Sequence, residues 1–430
     1  MKVGLNSESM QRANRHLIIG ILLENKSVSR IELSKRTNLN RATITNIINE
    51  FLAAGIVREE GFQKEREGRK AEGLCLFCPE AAVLSARLTR EFFEIGAFSI
   101  DGDMRFREHC PIDKNEDIQS IMRLLFLEID AAVQRVGEEN VLGLSVGVPG
   151  PYLRGKRNVA VVSEFEQLGR IDFQRELEEH YPFYVITEHD SQLSALAEWK
   201  RLPPETRMEE NSLVAIQSIG IGIGSGMIIN GKIFHGATGI AGEVGHMGIN
   251  FNGASQGAGR RGIFEAYAST GAVRQYVLER MYEFPESTLT DTCDYKQIRE
   301  AYFNDDPLAA CAMDNLAWKL AYGLSNIVYT INPSRIVLSE DYPRCPRFIH
   351  RVRDGMGKMI YPELMETTVL RYSEIEIDTT LLGGHYLVLD SMLKQDLLMD
   401  RLKAIAEPEK IYLDERLGKH KECCGCGQAM

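Results

Sequence analysis

The sequence predicts an α/β protein in which a small three-helix head with a β-hairpin precedes a duplicated, two-lobed α/β body. Three observations predict this plan. Residues 11–57 carry three short stretches of helical periodicity set off by capping and turn residues. After Pro79 the pattern changes to strands alternating with helices, and the strand-rich arrangement of residues 83–104 returns at 211–245. At 430 residues the chain is too long for one ordinary core, which fits more than one domain.

Composition narrows the class. Hydrophobic residues at 44% with 26% charged residues suit a soluble globular chain. No apolar run approaches the roughly 20 residues of a membrane span, and the start lacks the apolar core of an export signal. A cytoplasmic protein without a membrane partner is expected. The nine cysteines form no framework. Cys75 and Cys78 make a lone C-x-x-C, and Cys423, Cys424 and Cys426 crowd the end beside His420 without a second pair at finger-like spacing. Reduced thiols are the default. The net charge of −11 is uneven: residues 1–78 hold 13 Lys/Arg against 9 Asp/Glu, a surplus of +4, which leaves −15 for the remainder. Only the head is suited to a polyanion.

In the head, a first helix over 11–24 presents Ile18, Ile21 and Leu22 on one face. Ser29 caps a second helix, with Glu32 at the reciprocal capping-box position. Thr37-Asn38-Leu39 turns the chain and Asn40 caps a third helix, whose Ile44, Ile47, Ile48, Phe51 and Leu52 form a buried stripe. The opposite face, Arg41, Thr43, Thr45, Asn46 and Asn49, is short-chained and hydrogen-bonding near the helix start, where a recognition helix meets base edges and phosphates, and Arg41, Ala42, Thr43, Thr45 and Asn46 are the candidate contacts. Gly55 closes that helix, and a hairpin with a charged tip begins at Ile56-Val57. This is the plan of a winged helix-turn-helix, with Arg69 and Lys70 of the wing able to reach a groove or phosphate. A three-helix protein-binding module with a solvated face is the alternative.

In the body, two strands lead to an Asp101-Gly102 turn, a helix spans 117–135, and the strand VLGLSVGVPGP follows. FYVITEHD delivers Glu188, His189 and Asp190 to the start of a helix, where open α/β sheets bind ligands. Helix capping is the plain alternative for Asp190. Residues 211–245 give a strand, a glycine-rich turn, a second strand, an Asn230-Gly231 turn and a third strand. The glycines of IGIGIGSG are of the phosphate-approaching sort, but no helix follows, so a dinucleotide fingerprint fails.

Six pieces in order, SRIELSKRTNLNRATITNIINEFLAAGIVREEG with GRK, then GVPGP, HDSQLSALAE, GIGSGMIINGKIFHGATGIAGEVGH, GRRGIFEAYAS and NPSRIVLSED, resemble the transcription-regulator branch of the ROK family (repressors, open reading frames, kinases). The resemblance covers almost the whole chain. It implies an N-terminal winged helix-turn-helix followed by a two-lobed actin/hexokinase-like (ribonuclease H-like) sugar-kinase fold. The expected division is 1–78 for the DNA-binding domain, 79–200 for the first lobe rejoined by a helix near 385–402, 201–384 for the second lobe and 403–430 for a tail.

The resemblance also implies a sugar pocket made of His189, Asp190, Glu243, His246 and Glu265. Carboxylates and imidazoles that accept and donate together suit sugar hydroxyls. His189 replaces the family's usual Asn, and Ser163 or Glu164 stands where a further pocket Asn is common. In kinase members the residue matching Asp190 is the general base. Here the nucleotide side departs from the pattern: Arg87 stands in the first phosphate loop, Ile221 replaces a Thr in the second, and Ser339-Glu340-Asp341 replaces a Gly-Gly. A cation cannot replace the carboxylate that organises magnesium. The family's zinc cysteines are Gln256, Ala258 and Ile263, so no metal and no cofactor are expected, with Ile263 and Phe264 as an apolar plug instead. The expected function is a non-enzymatic, sugar- or sugar-phosphate-responsive repressor acting as a homodimer or homotetramer on a double-stranded operator. An ATP-dependent sugar kinase and an effector-independent regulator are the rival readings.

Overall fold

The computed structural model describes residues 7–64, 70–113, 116–159, 166–219, 222–255, 260–339 and 341–406. Its head contains helices Ser7–Glu24, Arg30–Thr37 and Arg41–Ala53. The first starts at Ser7 rather than near residue 11, because the polar residues before Gln11 extend the helix without adding to its apolar stripe. Ser29 accepts from the Glu32 amide at 3.2 Å, Asn38 turns the chain at φ 57°, and Asn40 accepts from the Thr43 amide at 2.8 Å. These caps satisfy amides that a helix start leaves without partners. Ile44, Ile47, Ile48 and Phe51 are buried as the periodicity requires, whereas Leu52, at the margin of the stripe, is only half-buried. Gly55 (φ 71°) ends the helix, and strands Val57–Lys64 and Lys70–Leu76 pair antiparallel as the wing, joined by Val28–Ser29. Arg69 and the side chain of Lys70 lie outside the described residues.

The two lobes repeat one topology. In the first, the sheet order is Tyr184–His189, Val141–Val148, Ala82–Leu88, Phe92–Phe98, Met104–Pro111. In the second it is Val369–Tyr372, Arg335–Leu338, Ser212–Ile219, Gly222–Ile229, Lys232–Ile233. Each sheet joins three successive antiparallel strands to two parallel ones. The Asn230-Gly231 turn has both residues at positive φ (51° and 72°), as a two-residue hairpin of type I′ demands.

Two helices cross between the lobes. The pocket helix, Asp190–Arg201, leaves the carboxyl end of the strand Tyr184–His189. A Cβ on Gly226 would lie 2.0 Å from the Ser191 carbonyl oxygen, so the glycine-rich strand serves close packing on this helix. The return helix, Thr379–Lys394, packs on the pocket helix and on strands of the first lobe; a Cβ on Gly383 would lie 1.9 Å from the Leu193 carbonyl oxygen. It begins earlier than the expected residue 385.

The last described helix, Leu398–Ala406, reaches into residues set apart as a tail. Its Leu398, Met399, Leu402 and Ile405 share one apolar cluster with Ile18, Ile44, Ile48 and Phe51 of the head and Val83, Leu142 and Val388 of the first lobe. Lys403 and Arg15 both pair with Glu50 of the third head helix, at 3.1 and 2.8 Å. The chain's far end therefore completes the core of its beginning. Cys75 and Cys78 are buried free thiols; His420 and the cysteines at 423, 424 and 426 lie outside the described residues. Among the described residues, no helix is long and apolar enough to cross a membrane.

Candidate functional site

The cleft between the lobes brings the five predicted pocket residues into one field. His189 ends a strand and Asp190 opens the pocket helix, where the helix dipole favours a negative charge. His189 Nε2 lies 3.2 Å from Asp190 Oδ1, and its Nδ1 lies 3.8 Å from Glu243 Oε1 across the cleft. Burial alone would lower the His189 pKa, but the hydrogen bond to Asp190 and the charges of Asp190, Glu243 and Glu188 outweigh it and raise it to about 9. A Cβ on Gly150 of the GVPGP turn would sit 2.2 Å from His189 Nε2, so that glycine makes room for the ring.

Glu243 belongs to the second lobe, just before the short 3₁₀ turn Val244–His246. Burial raises its carboxyl pKa, and the nearby His189 and His246 offset this only in part. Its Oε1 is buried without a hydrogen-bond partner among the described residues. His246 Nε2 lies 3.6 Å from Glu265 Oε1, and Glu265 Oε2 accepts from the Ile223 amide at 3.5 Å.

Sequence reasoning missed several participants. Arg87 was noted only as a lost phosphate-loop acid; its Nη1 is 2.6 Å from Asp378 Oδ2 and its Nη2 is 3.6 Å from Asp190 Oδ2. Arg87, Gly147 and Glu188 share one row across the first sheet, so the guanidinium stands beside the end of the strand that carries His189. Burial would lower the Arg87 pKa, but Asp378, Asp190 and Asp341 raise it. Asp378 is also the cap of the return helix, accepting from the Leu381 amide at 2.9 Å. Asp341 Oδ2 accepts from the Ser339 hydroxyl at 2.7 Å and from the Ser218 amide at 3.3 Å, beside the second glycine turn. Asp190, Arg87 in the first phosphate-loop position, and Asp341 are thus each engaged by protein groups.

Buried Glu188 binds His235 of the second lobe at 2.8 Å, with Arg154 at 3.8 Å. Although burial by itself would raise the Glu188 pKa, these partners lower it. A triplet of acid, imidazole and guanidinium thereby links the lobes at the rim. Its signal in the sequence was Glu188, the first member of Glu188-His189-Asp190.

In the glycine-rich loop, Arg260 Nη1 lies 3.0 Å from His246 Nε2. The His246 imidazole is therefore met by a cation. Ile263 and Phe264 are both buried, and a Cβ on Gly323 would lie 2.3 Å from the Phe264 ring, so the ring presses directly on the helix Pro307–Ile331. Gln256, Ala258, Ser163, Glu164, Ile221 and Glu340 lie outside the described residues.

On the third head helix, Arg41, Ala42, Thr45 and Asn46 are exposed and Thr43 is partly exposed. Only the Thr45 hydroxyl among these side chains bonds back to the helix, to the Arg41 carbonyl at 2.9 Å. The face opposite the buried stripe remains open to a partner.

Comparison with known proteins agrees with this anatomy. The family model "ROK family" matches residues 87–391, and a model for winged helix-turn-helix DNA-binding matches residues 11–58. The xylose repressor of Caldicellulosiruptor bescii is 25% identical over 404 residues, spanning 90% of this chain and 98% of that protein. The N-acetylglucosamine repressor of Escherichia coli O6:H1 is 24% identical over 340 residues, 78% of this chain and 82% of its own length. The crystal structure of a ROK family transcriptional regulator, a homolog of the E. coli MLC protein, superposes with a TM-score of 0.76 at 23% identity, covering 92% of this chain and 99% of that one. The chain belongs to the ROK family, with a winged helix-turn-helix joined to its two-lobed hexokinase-like body.

Proposed function

We propose that this protein is a sugar-responsive transcriptional repressor in which the kinase-like cleft serves as sensor and no longer transfers phosphate. The observation that carries the reading is the Arg87 guanidinium between Asp190 and Asp378. A base that must take a hydroxyl proton is here engaged by an arginine and by His189, and the carboxylate that would organise magnesium is absent from position 87. The repressors among its relatives support the same direction.

The head would act on a double-stranded operator through Arg41, Ala42, Thr43, Thr45 and Asn46, with Arg69 and Lys70 of the wing on the flanking backbone. Two heads on a homodimer or homotetramer match an operator of two half-sites. A sugar held by His189, Asp190, Glu243, His246 and Glu265 would favour one lobe closure, and the return helix leads from Asp378 to the head. The tail division at 403 gives way in this reading to a helix that belongs with the head.

Operator binding by fluorescence anisotropy, with and without D-xylose, N-acetylglucosamine and glucose, tests the proposal. Asn46→Ala should change sequence preference by about 1–3 kcal/mol at one base position, whereas Arg41→Ala should weaken binding to all sequences alike. ATP turnover with any of these sugars that disappears in Asp190→Asn would establish a kinase instead. Operator affinity that no sugar alters would leave an effector-independent regulator.

A further inference from the structure

We infer that the cleft takes a neutral, unphosphorylated sugar and rejects its phosphate ester, with Arg87 as a sixth pocket residue that meets the hydroxyl bound at Asp190. This rests on the reading of the cleft as a sugar sensor. Two buried groups there have no partner among the described residues: the donor Arg87 Nε and the acceptor Glu243 Oε1. Arg87 Nε is bonded to the same carbon as Nη2, which faces Asp190 at 3.6 Å. A hydroxyl is both donor and acceptor, so one placed at this corner can donate to Asp190 and accept from Arg87. A second hydroxyl can donate to Glu243. A neutral polyol thus satisfies both orphaned groups without bringing in charge, and leaving such groups unmade is costly.

A phosphate ester at the same hydroxyl meets the opposite situation. The hydroxyl beside Asp190 is the one a kinase would phosphorylate, so the ester would project toward Arg87. That guanidinium already holds Asp378 at 2.6 Å, and Asp341 also acts on it. Three carboxylates against one guanidinium leave an excess of two negative charges at this end. Even with the His189 imidazolium counted, the balance stays negative, and Glu243 lies on the far side of that ring. A dianion entering here would lose its hydration to a site that repels it. The presence of an arginine is therefore not by itself an anion site; its partners decide.

The test is isothermal titration calorimetry on the full chain with D-xylose and with two pairs, glucose and glucose 6-phosphate, N-acetylglucosamine and N-acetylglucosamine 6-phosphate. At least one neutral sugar should bind, and a bound sugar's phosphate ester should be at least tenfold weaker. An ester that binds as well as or better than its parent overturns the inference while leaving the sensor reading intact. Binding by none of the five overturns the sensor reading and the inference with it. Asp378→Asn keeps a good helix cap while removing one charge, and should narrow the preference for the neutral form at least threefold. Should circular dichroism find that variant unfolded, Asp341→Asn makes the same measurement. An unchanged preference in the folded variant overturns the role given to Arg87 and its carboxylates.

Discussion

The two ends of the cleft have had different histories. At the end proposed for the sugar, His189 faces Glu243 and His246 faces Glu265, and Glu243 Oε1 is buried without a hydrogen-bond partner among the described residues. At the phosphoryl end, Arg87 is held by ion pairs to Asp190 and Asp378, and Asp341 accepts from the Ser339 hydroxyl, so only Arg87 Nε is left there without a hydrogen-bond partner among the described residues. The difference teaches that one cluster can be largely structural and still keep, in its unsatisfied atoms, the points at which a ligand would bind. Closure at the phosphoryl end also has a mechanical consequence, because Asp378 caps the helix that runs to the head.

The largest effect should come from breaking the closed end. Arg87→Ala leaves Asp378 without its cation and Asp190 with His189 alone in a buried setting, and should lower the unfolding free energy by about 3–5 kcal/mol in urea denaturation. A loss below about 1 kcal/mol would mean that this end is solvated and the contrast between the two ends is mistaken.

The next test follows the closed end to the head. Leu402→Ala opens a cavity where the C-terminal helix meets the head and first lobe, and should cost about 2–5 kcal/mol with weaker operator binding. Full operator affinity in this variant would separate the head from the rest of the chain.

The open end should respond in the opposite sense. Glu243→Gln removes a buried carboxylate that has no hydrogen-bond partner at Oε1, so stability should stay within about 1 kcal/mol of the wild type while sugar binding falls tenfold or more. A large loss of stability would place Glu243 among structural groups.

The smallest effect is a pH dependence at the boundary between the ends. His189 is raised from 6.5 to about 9, so its contribution is fully present below pH 6.5 and is lost as the pH rises through about 9. The melting temperature should fall more steeply across that window in the wild type than in His189→Asn. Parallel profiles would show that the imidazole does not carry the charge assigned to it.

Much of this was legible from residues alone. The head followed from caps and periodicity, and Ser29, Asn38, Asn40 and Gly55 each do locally what their residue types suggest. The five pocket residues came from the family resemblance, and the structure places their charges within reach of one another. Arg87 was read as the loss of an acid and not as the gain of a contact. The glycines near Gly226 were weighed against phosphate and proved to serve helix packing. His246 lost its zinc partners in the sequence, yet Arg260 as its neighbour could not be inferred from spacing.

The sequence by itself determined the elements and the repeated lobe plan. These depend on neighbours within a few turns of helix or strand, where propensity and periodicity act. Only the tertiary structure decided that Arg87 meets Asp378, 291 residues away, and that the last helix completes the first domain's core. Such pairings are set by which surfaces the fold removes from water together, and no local pattern records the partner that burial will supply.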